Sequence, residues 1–198
     1  MLSANTQERQ HLFRLNGDTH LLLFYLANYG TTPMQVLDVN LTQGTTRLVD
    51  GVLGRPGVRC TSLHPNGKVY VGSGEADAKG YLLEYDPTTG ATRQIAQLSD
   101  VGGYYSEIGD DGWVYVGQAV QGRVDRYHPP TDTFERLGRM DTTQTGNGQY
   151  AYTLGADTRY LYVGLGQNPW YLSVYDTVTQ SKTLYWACVG DTLGFVRQ

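Results

Sequence analysis

The chain is short of charge clusters, cysteine and long apolar runs, and each shortage removes a class of function. Its 15 lysines and arginines are scattered over 198 residues and the net charge is −4, so no basic stripe faces nucleic acid or an anionic membrane. No apolar run approaches the roughly 18–20 residues that a membrane span needs. Met1–Gln10 is polar and lacks the charged-then-apolar layout of a secretory signal, which leaves the compartment unassigned. The two cysteines, Cys60 and Cys188, lie far apart in no metal-ligand spacing and read as buried thiols rather than a disulfide. No Gly-rich phosphate loop, nucleophile elbow or paired metal ligands occur, which argues against phosphoryl transfer and serine hydrolysis. No cofactor is expected.

What the chain does have is 25 glycines, 16 tyrosines and few helix formers in periodic order, which favours an all-β protein with many turns. One domain of this length can bury a real core. Gly103–Met140 shows the scheme. Tyr104–Ile108 is a short mixed run stopped by Gly109-Asp110-Asp111-Gly112, residue types that suit a tight turn. Trp113–Val116, aromatic and β-branched throughout, reads as a strand buried on both faces. Arg123–Tyr127 and Thr133–Leu137 are two more strands, with Pro129 and Pro130 in the turn between them, where they cost no ladder bond.

The scheme recurs along the chain. Leu21–Phe24, Lys68–Val71, Trp113–Val116 and Tyr160–Val163 align as second strands, and Gly72, Gly117 and Gly164 close the last three. Four-stranded antiparallel units at a spacing of about 45 residues are the signature of β-propeller blades. The blades fall at about 11–50, 57–98, 102–140 and 148–186 of one propeller domain, and 190–198 looks like the start of a further blade. The pieces Val-Tyr-Val-Gly, Leu-Tyr-Val-Gly and Tyr-Asp-Pro-Thr-Thr-Gly resemble the broad superfamily of streptogramin-lyase-like, quinoprotein-like and gluconolactonase-like propellers. That resemblance implies the fold and is almost silent on activity. Four blades either close as a compact ring or belong to a larger one, and the expectation is part of a larger ring, or a half-propeller that self-associates to cover its ends.

Binding residues concentrate on loops held by a rigid scaffold. The first-to-second and third-to-fourth turns are tight and occupy one face of the disc. The opposite face receives the longer second-to-third loops and the connections between blades, and it is the functional candidate. It collects Arg59, Tyr104, Tyr105, Gln118, Gln149, Tyr150, Tyr152, Gln167, Asn168 and Trp170 as ligand-binding candidates. Aromatic faces with amides and a guanidinium suit a small saccharide, whose C–H surfaces the rings cover while planar groups read the hydroxyls. A peptide ligand is the other expectation. Catalytic candidates are fewer: Tyr104 or Tyr150 with Arg59 matches polysaccharide-lyase chemistry by residue type, and His11 opens the first strand of blade one. Glu75 and Asp77 are the only metal candidates singled out, and they lack the alternating acidic pattern of a calcium loop, so no metal is expected. The reading is a non-catalytic binding propeller, with a lyase or lactone/glycoside hydrolase as the alternative.

Overall fold

The computed structural model describes residues 8–25, 34–52, 58–74, 79–141, 150–166 and 170–186. Blade one consists of β1 (Glu8–Leu15), β2 (Asp18–Tyr25), β3 (Met34–Asn40) and β4 (Thr45–Val52). Blade two follows with β5 (Val58–Leu63), β6 (Val69–Ser73), β7 (Tyr81–Tyr85) and β8 (Thr92–Gln97). Blade three holds β9 (Gly103–Ile108), β10 (Val114–Gln118), β11 (Arg123–His128) and β12 (Thr133–Arg139), with a single 3-10 turn at Pro129–Thr131. Blade four holds β13 (Ala151–Ala156), β14 (Tyr160–Gly166), β15 (Trp170–Asp176) and β16 (Lys182–Trp186). Each blade is its own antiparallel sheet with strands in chain order, the expected meander.

The second strands are the centre of each blade because they carry apolar side chains on both faces. β6 and β10 are buried at every position. A sheet with two apolar faces must be covered twice, and stacking blades does this. Leu22, Phe24, Met34 and Val36 of blade one pack on Val69, Val71, Leu83 and Tyr85 of blade two. Tyr70, Leu82 and Leu98 of blade two pack on Val114, Val116 and Tyr127 of blade three. Tyr115, Val124 and Met140 of blade three pack on Leu161, Val163, Tyr171 and Tyr175 of blade four. Among the described residues no such cluster joins blade four to blade one. The outward face of blade one (Leu21, Leu23, Leu37, Val39) and that of blade four (Tyr160, Tyr162, Leu172, Val174) are only half-buried. The described blades therefore form an open arc.

Side chains fix the tight turns. Asp111 accepts the Trp113 amide at 3.1 Å through Oδ1 and the Tyr115 hydroxyl at 2.6 Å through Oδ2. Asp157 repeats this with the Tyr160 amide and the Tyr162 hydroxyl. Asn66 accepts the Lys68 amide and donates to the Tyr70 hydroxyl. An Asx residue thus holds its turn while the second-strand tyrosine locks it. Two glycines have a packing reason. A Cβ on Gly72 would sit 2.5 Å from Cys60 Sγ and 3.2 Å from Gly103 Cα, and one on Gly117 would sit 2.8 Å from Ala151 Cβ. At Gly72 the obstacle is Cys60 of the same blade with blade three behind it, and at Gly117 it is the neighbouring blade itself.

Candidate functional site

Three of the four inner strands break register at the same level. Opposite β6, Val58 pairs Ser73 and Cys60 pairs Gly72, so Arg59 is the extra residue of a bulge. Opposite β10, Gln118 pairs Gly103 and Gly117 pairs Tyr105, so Tyr104 is extra. Opposite β14, Leu165 pairs Ala151 and Gly164 pairs Thr153, so Tyr152 is extra. A bulge re-aims the side chain it carries and occurs preferentially beside functional sites. The pairs in β1 run without interruption, so blade one lacks the device.

The bulges bring aromatic rings together where blades three and four meet. The Tyr104 ring centroid lies 5.1 Å from that of Tyr152, at 87°, and 5.5 Å from that of Tyr150. Tyr150 and Tyr152 stack at 5.4 Å, and Tyr152 lies 5.0 Å from Trp170 at the start of β15. All four rings are half-buried, so each keeps surface for a ligand. The Arg59 side chain lies against Gly74, whose bridge to Gly102 joins blades two and three just before Tyr104. Tyr105 stands outside this ring cluster and is 38% exposed. Its hydroxyl titrates above the usual range because of burial, with Glu107 and Cys60 adding to the effect.

Two candidates serve the scaffold instead. Gln118 is fully buried, and its Oε1 accepts the Asp100 amide at 2.6 Å. It is part of a polar network in which buried Asp125 accepts the Ser99 amide and hydroxyl while Asp100 accepts the Gln121 amide. This network ties the link between blades two and three to blade three; a polar loop residue gave no sequence sign of such burial. His11 lies away from the rings, its Nε2 2.7 Å from Thr61 Oγ1 across the junction of blades one and two. Burial lowers its pKa. Gln149, Gln167, Asn168, Glu75 and Asp77 lie outside the described residues.

Of the expected thiols, Cys60 is buried and free, and burial pushes its pKa up to about 11. Cys188 lies outside the described residues. Histidines 64 and 128 are turn residues. The His64 ring accepts the Asn66 amide and donates to the Gly112 carbonyl, and His128 stacks on Trp113. Among the described residues no group of three or more His, Cys, Asp or Glu could hold a metal ion, and no helix is long and apolar enough to cross a membrane.

No family model matches the chain, and no curated protein does. Solved structures do. The extracellular domain of a hybrid two-component system from B. thetaiotaomicron superposes with a TM-score of 0.60 at 17% identity, over 90% of this chain and 22% of that one. An auxiliary nutrient binding protein from Bacteroides ovatus superposes with a TM-score of 0.53 at 12% identity, over 84% of this chain and 39% of that one. Virginiamycin B lyase from Staphylococcus aureus superposes with a TM-score of 0.54 at 11% identity, over 92% of this chain and 74% of that one. The chain thus spans about a fifth of the first of these proteins and about three quarters of the last. At such identities the likeness establishes the fold, a β-propeller of four-stranded antiparallel blades.

Proposed function

We propose that the chain is a ligand-binding propeller whose site is the bulge level of blades two to four. One observation carries the reading: three successive blades expel a residue from the same register position, and those residues are Arg59, Tyr104 and Tyr152. A repeated structural fault at one level of a scaffold costs ladder hydrogen bonds, and presenting side chains to a ligand offsets that cost. With Tyr150 and Trp170 the rings form an aromatic cluster, and Arg59 adds a guanidinium at the equivalent bulge of the adjacent blade. That combination fits a small saccharide, stacked by its C–H faces and anchored through hydroxyls or a carboxylate on Arg59. A peptide with an aromatic or acidic side chain is the competing ligand. The nutrient-binding neighbour is in keeping with the saccharide reading, as a likeness of fold.

A glycan and peptide array followed by calorimetry on the best ligand tests this. Trp170→Ala and Tyr152→Ala should each weaken binding about tenfold, in line with roughly 1–1.5 kcal/mol for a lost ring contact. Undiminished affinity in both variants would remove the site. The enzyme reading has one specific support: Arg59 and Tyr104 occupy equivalent bulges in adjacent blades, which suits a base beside a charge neutraliser. Turnover of the bound saccharide that is lost in Tyr104→Phe with binding retained would select it.

A further inference from the structure

Inside the arc, the three junctions share one arrangement of residue types. The face that a blade turns toward the next carries an ion pair between register partners on its third and fourth strands. The pairs are Asp38–Arg47 in blade one, Glu84–Arg93 in blade two and the reversed Arg126–Glu135 in blade three. The following blade meets each pair with a third-strand tyrosine. Arg93 Nη2 donates to the Tyr127 hydroxyl at 2.7 Å. Tyr85 and Tyr175 hold the corresponding register positions in blades two and four, and the buried Tyr85 hydroxyl has no hydrogen-bond partner there.

The two open faces lack both halves of the arrangement at once. On blade four the ion-pair positions hold Val174 and its partner Thr183. The tyrosine position is fixed by its second-strand partner, as in Val69–Tyr85, Val114–Tyr127 and Leu161–Tyr175. On blade one that position holds Val39, paired with Leu21. An ion pair brought against Val39 would be buried on an aliphatic side chain instead of a tyrosine, and a tyrosine brought against Val174 would meet no ion pair. The two open faces therefore match each other and mismatch the junctions used inside. Among the described residues nothing covers either face: Leu12 is 62% and Leu48 48% exposed on one, and Tyr185 is 52% exposed on the other. Blade four's face holds an open groove of about 540 Å³ in which Tyr160, Tyr162, Leu172, Val174 and Tyr185 lie beside Asp176, Ser181 and Thr183.

We propose that a second copy of this chain covers both faces, blade four of each protomer seating on blade one of the other to close a ring of two arcs. Heterologous contacts of this kind form a closed ring when the rotation between copies permits it. The inference is independent of the ligand site.

The test uses the 198-residue chain carrying Cys188→Ser, with buried Cys60 retained. Val39→Cys and Val174→Cys chains are prepared separately, unfolded and refolded together, and treated with a short bis-maleimide. Expected is a covalent product of twice the chain mass in the mixture and in neither variant alone. No product from a mixture whose circular dichroism matches the parent chain overturns the proposal, and so does equal product in the single-variant samples. The chain carrying both substitutions separates the remaining occupant. A bridge within one chain at high dilution means that the arc closes on itself and contradicts the second copy, whereas a bridge only between chains supports it.

Discussion

Arg59, Tyr104 and Tyr152 share a level because each is the residue that its neighbouring strand skips. The residue types and the face were legible in the sequence, since Tyr, Arg and Trp gather at strand ends next to long connections. The bulges were not, because a skipped partner depends on register across two strands, which no single run of residues records. The burial of Gln118 was hidden for the related reason that a polar residue after a strand looks like loop, although here it answers the buried Asp100 amide. His11 gives a pH prediction at this scale. Burial lowers its pKa in the folded chain below the ordinary 6.5, so the unfolded chain binds more protons as pH falls through that value. Folding stability contributed by neutral His11 is complete above pH 6.5 and declines below it, by up to about 1.4 kcal/mol per pH unit until the folded pKa is reached. Thermal melts from pH 7.5 down to 5 should show a steeper loss for the parent chain than for His11→Gln. Equal slopes would mean that His11 titrates as it does in water.

At the scale of the strand, the second strands were the most legible elements. A run such as Val114–Val116, aromatic or β-branched at every position, has one physical solution in a sheet, namely burial on both faces, and only Trp113 before it stays half-buried. The glycines that close these runs were visible as punctuation, and at Gly117 the cause is the approach of the next blade. Gly117→Ala would press a methyl 2.8 Å from Ala151 Cβ and 3.1 Å from the Ala151 carbonyl oxygen, neither of which can swing aside. The expected cost is about 1–3 kcal/mol, the usual range for overpacking, read as a lower denaturation midpoint at unchanged slope. An unchanged midpoint would show that the junction of blades three and four is looser than described. Third and fourth strands were harder to read. Their ion pairs are ordinary surface residues in sequence, and only the register of Glu84 with Arg93 places the carboxylate under cover while the guanidinium reaches Tyr127.

For the whole molecule, the repeat established the blades, and their number left the closure of the ring open. Closure rests on side chains that the repeat treats as variable, because Val39 and Val174 are unremarkable until each is set against its counterparts in the other blades. On the proposal of a second copy, the arc associates in solution through its two ends, since large uncovered apolar faces seldom persist on a monomer. The solution mass of the 198-residue chain by light scattering, at micromolar concentration and physiological salt, tests this most directly. With a chain mass of 22.0 kDa, the account requires a single species at twice that value. A stable species at 22.0 kDa that does not bind a hydrophobic dye would contradict it.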